Sequence, residues 1–309
     1  MTPSARLAAA IEVFATIESE RRPAADALKA WGLSHRFAGS SDRAAIAGLV
    51  YDALRRRASS AFIMGADTPR AIVLGMLKRE RGLDVEAIAR LADGSQYAPE
   101  ALSPGEHKCL DAADIGRAPP HVVGDYPEWL EPYFSRVFAE HRAEEGAALA
   151  SRAPLDLRVN ALKTERDAAS VILSDLKPEP TRWSPWGLRI RLSADAKNPA
   201  IHAEPAFRKG LVEVQDEASQ VATLLSAARP GEQVVDLCAG AGGKTLALAA
   251  MMQNKGQIFA TDDDKRRLTP IHDRLKRSGA RNVQVRTPKS VGGEIADLSE
   301  RMDLVLIDA

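Results

Sequence analysis

The sequence predicts an α/β protein in three parts, and three observations carry that prediction. Apolar residues recur at helical spacing through the first 150 residues, then alternate at the period of strands near 155 and 188. From about residue 229, short apolar runs alternate with amphipathic helices, the pattern of a parallel, doubly wound sheet whose ligands sit at the carboxyl ends of the strands. Composition agrees: 309 residues, 45% hydrophobic and 27% charged, are enough for two or three globular domains with real cores. The balance of 42 Lys+Arg against 42 Asp+Glu argues against indiscriminate coating of nucleic acid and leaves only local patches. No apolar window is long enough to span a membrane, and Glu12, Glu18 and Glu20 interrupt any signal-peptide core. Cys109 and Cys238 make neither a disulfide framework nor a zinc site, and a reducing cytoplasm is expected. The scattered histidines give no metal site.

In chain order, Leu7, Ile11, Phe14 and Ile17 define a first helix, Pro23 opens a second that Gly32 ends, and Asp42 caps a third with Ile46, Leu49, Val50, Ala53 and Leu54 on its inner stripe. Thr68-Pro69 starts another helix, and Ser103-Pro104-Gly105-Glu106 is a capping box. Residues Pro119 to Pro127 are expected to be a linker, followed by a helix with Trp129, Leu130, Phe134, Val137 and Phe138. Leu155, Leu157 and Val159 alternate with Asp156, Arg158 and Asn160 as a half-buried strand, and Leu188, Ile190 and Leu192 repeat the pattern. A helix at Asp167–Asp175 lies between them, and a further helix spans Gln215–Ala228. Four strands follow, at Gln233–Leu237, Gly256–Ala260, Asn282–Val285 and Asp303–Ile307. They are separated by a helix at Lys244–Met252 and one presenting Leu268, Ile271 and Leu275.

The stretch from Val235 to Thr245 joins the first of these strands to its helix, where glycines admit a ligand to the backbone and free N–H groups point outward. A phosphate-binding P-loop needs glycine five positions before Gly243, where Cys238 stands, so that pattern fails despite Gly243-Lys244-Thr245. A dinucleotide fingerprint needs glycine at Thr245, and fails too. The remaining reading is an S-adenosylmethionine loop, with Asp236 as the acid ending the strand and Asp262 placed to accept from ribose hydroxyls. Asp262 supports a nucleoside ligand without choosing its kind.

Asp236-Leu237-Cys238-Ala239-Gly240-Ala241-Gly242-Gly243-Lys244-Thr245, preceded by Val214-Gln215-Asp216-Glu217-Ala218-Ser219-Gln220, resembles the Nop/Sun-type (RsmB-like) RNA cytosine-5 methyltransferases. The resemblance extends through Leu157-Arg158-Val159-Asn160-Ala161-Leu162-Lys163, Pro205-Ala206-Phe207-Arg208-Lys209-Gly210 and Val305-Leu306-Ile307-Asp308-Ala309. The segment from Asp42-Arg43-Ala44-Ala45-Ile46 to Leu49-Val50-Tyr51-Asp52-Ala53-Leu54-Arg55 is similar to the NusB-like RNA-binding domain of bacterial members. The family thus implies a NusB-like helical domain over 1–126, a helix plus small α+β RNA-binding unit over 127–228, and a Rossmann-like methyltransferase domain begun at 229–309 with four of its seven strands. It also implies S-adenosyl-L-methionine held by Cys238, Ala239, Gly240, Ala241, Gly242, Gly243, Lys244, Asp262 and Asp308, and RNA, of the small ribosomal subunit by analogy, contacted by Arg158, Asn160 and Lys163. Arg286-Thr287-Pro288 stands where members carry an acid near the adenine, and Ala241 replaces a common proline, removing a φ constraint. The basic run from Lys265 through Arg286 to Lys289, the triplet Arg55-Arg56-Arg57, and Trp183 and Trp186 are further candidates for RNA, against solvated or packed roles.

The family's chemistry needs a cysteine thiolate on cytosine carbon 6 to make carbon 5 nucleophilic. Cys238 is read as a wall of the methyl-donor pocket and Cys109 as a small packing residue, so the nucleophile is expected beyond Ala309 and the chain is expected to be the first, inactive part of a longer enzyme. The alternatives are a non-catalytic RNA-binding or assembly module, and a methyltransferase with a non-RNA acceptor.

Overall fold

The computed structural model describes residues 1–192, 199–288 and 295–309. Two compact units emerge: Met1–Ala153, and Pro154–Leu192 together with the described residues from Pro199 onward. The units meet at Ala153/Pro154 rather than at 126 and 228. The expected linker at 119–127 is instead packed structure. Pro120–Val123 forms a helical turn, and buried Tyr126 stacks on Phe134 at 4.3 Å between ring centroids. A Cβ at Gly146 would stand 2.4 Å from the Tyr126 ring, so the helix Arg142–Leu149 is fitted to that ring and belongs with the first unit.

The first unit is helical throughout. Pro69–Arg79 is its central helix, buried from Ala71 to Leu77 and packed in one core with Leu7, Phe14, Ala53, Ile88 and Leu110. Thr68 Oγ1 accepts from Ala71 N at 3.3 Å, and Ser103 and Glu106 bond reciprocally as a capping box. Two details differ from the sequence reading. Gly32 does not end the second helix, which runs Ala24–Ser34; it is buried, with the Arg43 side chain against it. Asp42 is not the cap of Ser40–Arg55 but its third residue, reaching back to Gly39 N at 3.2 Å. Arg6 Nε at 2.9 Å draws the same carboxyl below the usual range.

The second unit holds two sheets. β1 (Leu155–Val159), β2 (Glu179–Pro180), β3 (Gly187–Ile190) and β4 (Val212–Val214) form an antiparallel sheet in the order β2-β3-β1-β4. Leu157, Val159, Leu188, Ile190 and Val212 pack with Ala169, Leu173 and Phe207. β1 is not half-buried: Asp156 and Arg158, between its apolar residues, are 3% and 1% exposed. The helix Glu217–Leu225, capped by Asp216, leads to the parallel sheet. That sheet comprises β5 (Gln233–Asp236), β6 (Gln257–Thr261), β7 (Val283–Arg286) and β8 (Leu304–Leu306), in the order β7-β6-β5-β8. Chain order therefore reverses between β5 and β8, the switch point at which such sheets open a crevice. The helix after β6 is two pieces, Lys265–Leu268 and Ile271–Ser278. Pro270 lacks an N–H and its ring crowds the preceding turn, so the helix breaks there.

Candidate functional site

The glycine loop starts where β5 ends and closes on the N-terminus of the helix Gly243–Met251. Gly240 and Gly242 have φ of +49° and +85°, which disfavour any side chain, and a Cβ at Gly242 would stand 2.5 Å from Ile271 Cγ1. Gly242 N bonds back to Ala239 O at 2.8 Å, and Ala239 N reaches Thr261 O of β6. Cys238 is half-buried in the loop.

Three carboxylates converge at the strand ends. Asp236 is buried, and its Oδ2 accepts from Thr245 Oγ1 at 2.7 Å, while Oδ1 is buried with no partner. Burial, opposed by Thr245 and Lys244, pushes its pKa up to about 6. Asp262, just past β6, is also buried, yet its pKa lies below the usual value. Burial raises it, but bonds from Asp264 N at 3.0 Å and Gly240 N at 2.9 Å prevail. Asp308, past β8, is half exposed and pairs with Lys244 Nζ, which also reaches Ser219 Oγ at 3.3 Å. Lys244 is thus engaged by a carboxylate and a hydroxyl, not aimed at a phosphate subsite, in keeping with the failed P-loop pattern.

The residues expected to touch RNA lie elsewhere. Arg158 is buried, its Nε donating to Gln215 Oε1 at 2.6 Å; burial pulls its pKa down to about 10, opposed by Glu213. Asn160 is buried too, its Nδ2 donating to the carbonyls of Gly210 and Ser278 at 2.8 Å each. Neither can meet RNA without unfolding its surroundings, because β1 lies inside the sheet with both faces covered. Lys163 is exposed, although its Nζ donates to the carbonyls of Lys209 and Arg277.

The basic run is divided in the same way. Arg274 and Arg277 turn inward onto buried Glu213, Arg286 pairs with Asp297, and Arg266 pairs with Asp264 at the surface. Lys289 lies outside the described residues. In the first unit Arg56 is buried on Glu80, and Arg55 and Arg57 pair with Asp52 and with Glu18 and Asp67. Trp186 packs against the small core, whereas Trp183 is exposed beneath the Arg182 guanidinium at 4.5 Å. Sequence reasoning missed Glu213, and it gave no structural role to Gln215 and Ser219 of the motif or to Arg274 of the basic run. The alternation Val212-Glu213-Val214 is the available sign of a strand there, and it does not show that the acid faces inward.

Comparison with known proteins bears on this arrangement. Residues 222–309 match the family described as 16S rRNA methyltransferase RsmB/F. The probable ribosomal RNA small subunit methyltransferase B of Synechocystis sp. is 28% identical over 244 residues, covering 74% of this chain and 48% of that protein. The chain therefore spans about half the length of this curated relative. A methyltransferase homolog protein from Pyrococcus horikoshii is similar in structure, with a TM-score of 0.52, 28% identity and coverage of 67% of this chain and 63% of that one. NSun6 from Pyrococcus horikoshii, solved with SFG, an analogue of S-adenosylmethionine, shares the fold at a TM-score of 0.51 and 20% identity, over 59% of this chain and 70% of that one.

Proposed function

We propose that this chain, whose residues 222–309 match the RsmB/F methyltransferase family, carries the S-adenosylmethionine site of an RNA cytosine-C5 methyltransferase acting on small-subunit ribosomal RNA. One observation carries the reading. At the switch point between β5 and β8, two buried carboxylates flank a glycine loop, and one of them keeps a buried oxygen without a donor. The cofactor offers the donors such a site lacks, an α-ammonium and two ribose hydroxyls. On this reading Asp236 supports the loop and its donors, Asp262 holds the ribose, Cys238 to Lys244 line the donor's path, and Asp308 faces the mouth. When bound, S-adenosylmethionine supplies an electrophilic methyl group. The chain's own residues bind and orient it, and the closely packed loop excludes water from it.

The acceptor chemistry needs a thiolate at cytosine carbon 6. Cys238 lies within the cofactor loop and Cys109 in the helical unit, packed against its core. On this reading neither of these cysteines is the nucleophile. The helical unit is read as a NusB-like RNA-binding module, and Lys163 and Trp183 as the RNA-facing groups of the second unit.

Calorimetric titration tests the reading. S-adenosylmethionine binds, ATP does not, and Asp262→Ala weakens the cofactor by about a hundredfold, the loss of two hydrogen bonds to a charged group. RNA binding without cofactor binding would instead favour a non-catalytic RNA module.

A further inference from the structure

Arg274 sits behind the glycine loop and touches neither of its carboxylates. We propose that Arg274, held by Glu213, is a positioning residue that sets the conformation of the cofactor loop through the carbonyl of Ala241. The proposal rests on reading that loop as an S-adenosylmethionine site.

The geometry uses both edges of one guanidinium. Arg274 Nε and Nη2 donate to Glu213 Oε2 at 3.2 and 3.1 Å, and Nη1 donates to Ala241 O at 2.9 Å. Glu213 lies on β4, opposite Arg158 in register, and is 2% exposed. A planar, rigid fork fixed on one side by a buried carboxylate delivers its remaining N–H in a defined direction. The loop needs such a fixed point, since Gly240 and Gly242, on either side of Ala241, both take positive φ and lose more freedom on ordering than other residues. Position 241 has no ring to restrict φ, so an external hydrogen bond supplies the constraint.

The contact is separable from the packing of its helix. Glu213 Oε1 is already taken by Arg277 Nη2 at 2.6 Å, and Arg277 also covers the Phe207 ring at 4.0 Å. The end of the helix Ile271–Ser278 is tied down by Asn160 on Ser278 O and Lys163 on Arg277 O. Removing Arg274 therefore leaves the helix docked and Glu213 Oε1 paired with Arg277, while the tether to Ala241 and the donors to Glu213 Oε2 are lost together.

The test compares the wild type, Arg274→Ala, Arg274→Lys and the double variant Arg274→Ala with Ala241→Pro. Three quantities are measured: S-adenosylmethionine affinity by calorimetry, hydrogen exchange at the amides of Gly240 to Gly242, and thermal unfolding. Arg274→Ala is expected to bind the cofactor about tenfold more weakly, as for one charge-assisted hydrogen bond. Its loop amides exchange faster, and Tm falls by no more than about 10 °C, since Arg277 still holds Glu213 Oε1. Arg274→Lys, which keeps the charge but not the fork, behaves like the alanine variant. Proline at 241 restores slow exchange and part of the affinity, because it fixes φ from within. Unchanged affinity and exchange in Arg274→Ala would overturn the proposal. A collapse of Tm with no rescue by proline would overturn it as well, by making Arg274 a packing residue. If the wild type binds no S-adenosylmethionine, the reading of the site fails, while loop exchange still decides the role of Arg274.

Discussion

In the antiparallel sheet the charged residues Asp156, Arg158 and Glu213 stand in mid-strand and are buried; in the parallel sheet Asp236 closes β5 and Asp262 lies one residue past β6. Both oxygens of Asp156 and both of Glu213 accept from neighbouring arginines, whereas Asp236 leaves one oxygen without a donor. A buried charge costs several kcal/mol unless it is matched. The two carboxylates of the antiparallel sheet meet that cost within the fold and hold structure together, and the atom left unpaired there is a donor, Arg158 Nη1. The parallel sheet leaves part of the cost unmet at the switch point, where an incoming donor would be favoured. Burial alone does not set Asp236 apart from the carboxylates of the antiparallel sheet; its oxygen without a donor does.

The largest expected effect comes from breaking the matched side. Asp156 takes a bidentate pair from Arg189 at 2.8 Å to each oxygen and also caps Glu217 N at 3.1 Å. Asp156→Ala leaves the Arg189 guanidinium with only Glu217 at 3.5 Å and a buried N–H without an acceptor, and is expected to cost about 2–4 kcal/mol of unfolding free energy in a urea titration. A loss under about 1 kcal/mol would show that Arg189 finds solvent at no penalty, and that this sheet's charges are not its cement.

How much of this was legible beforehand follows the range of each interaction. The capping box at Ser103–Glu106 and the helix start at Thr68-Pro69 are local, and the structure repeats them. Strands β1, β3 and β5 to β8 fall within a residue or two of the apolar runs that predicted them. The break at Pro270 was written in the sequence too, but the stripe Leu268, Ile271, Leu275 concealed it. The inward turn of Arg158 was not legible. Period-two alternation says that faces differ, not that the polar face meets water, and here Gln215 and Glu213, over 50 residues away in sequence, lie against it. The same holds for Arg274 on Ala241, since a basic run shows no sign of which members a buried glutamate will claim. At the site the loop and its two acids were legible because spacing along βα units fixes them; the donor-free oxygen of Asp236 was not.

Asp236 sharpens the unmatched side with a smaller effect of opposite sign. Its folded pKa of about 6 exceeds the ordinary 3.8, so between roughly pH 4 and 6 the native state holds a proton that the unfolded chain releases. Stability therefore falls as pH rises through that window and levels off above it, by about 3 kcal/mol at most. Asp236→Asn, neutral at every pH, is expected to flatten this slope and to unfold at higher denaturant than wild type at pH 7.5, while losing S-adenosylmethionine affinity. An equal slope between pH 4 and 6 in wild type and Asp236→Asn would remove Asp236 as its source.

Lys163 lies between the two cases and gives the smallest effect. It is an exposed lysine whose Nζ caps the carbonyl of Arg277 near the end of the helix Ile271–Ser278 and also bonds Lys209 O at 2.9 Å. A cation at a helix C-terminus stabilises modestly at the surface, so Lys163→Ala is expected to cost about 0.5–1 kcal/mol. If the same ammonium also meets a phosphate, the substitution lowers RNA affinity a few fold and reduces the slope of log K against log salt by about 1. Anisotropy titrations of an RNA oligonucleotide at several salt concentrations separate the two roles. An unchanged slope beside a small stability loss assigns Lys163 to the structural side, with Arg158 and Asn160. A reduced slope makes it the one residue of that trio whose charge is shared between the fold and a polyanion.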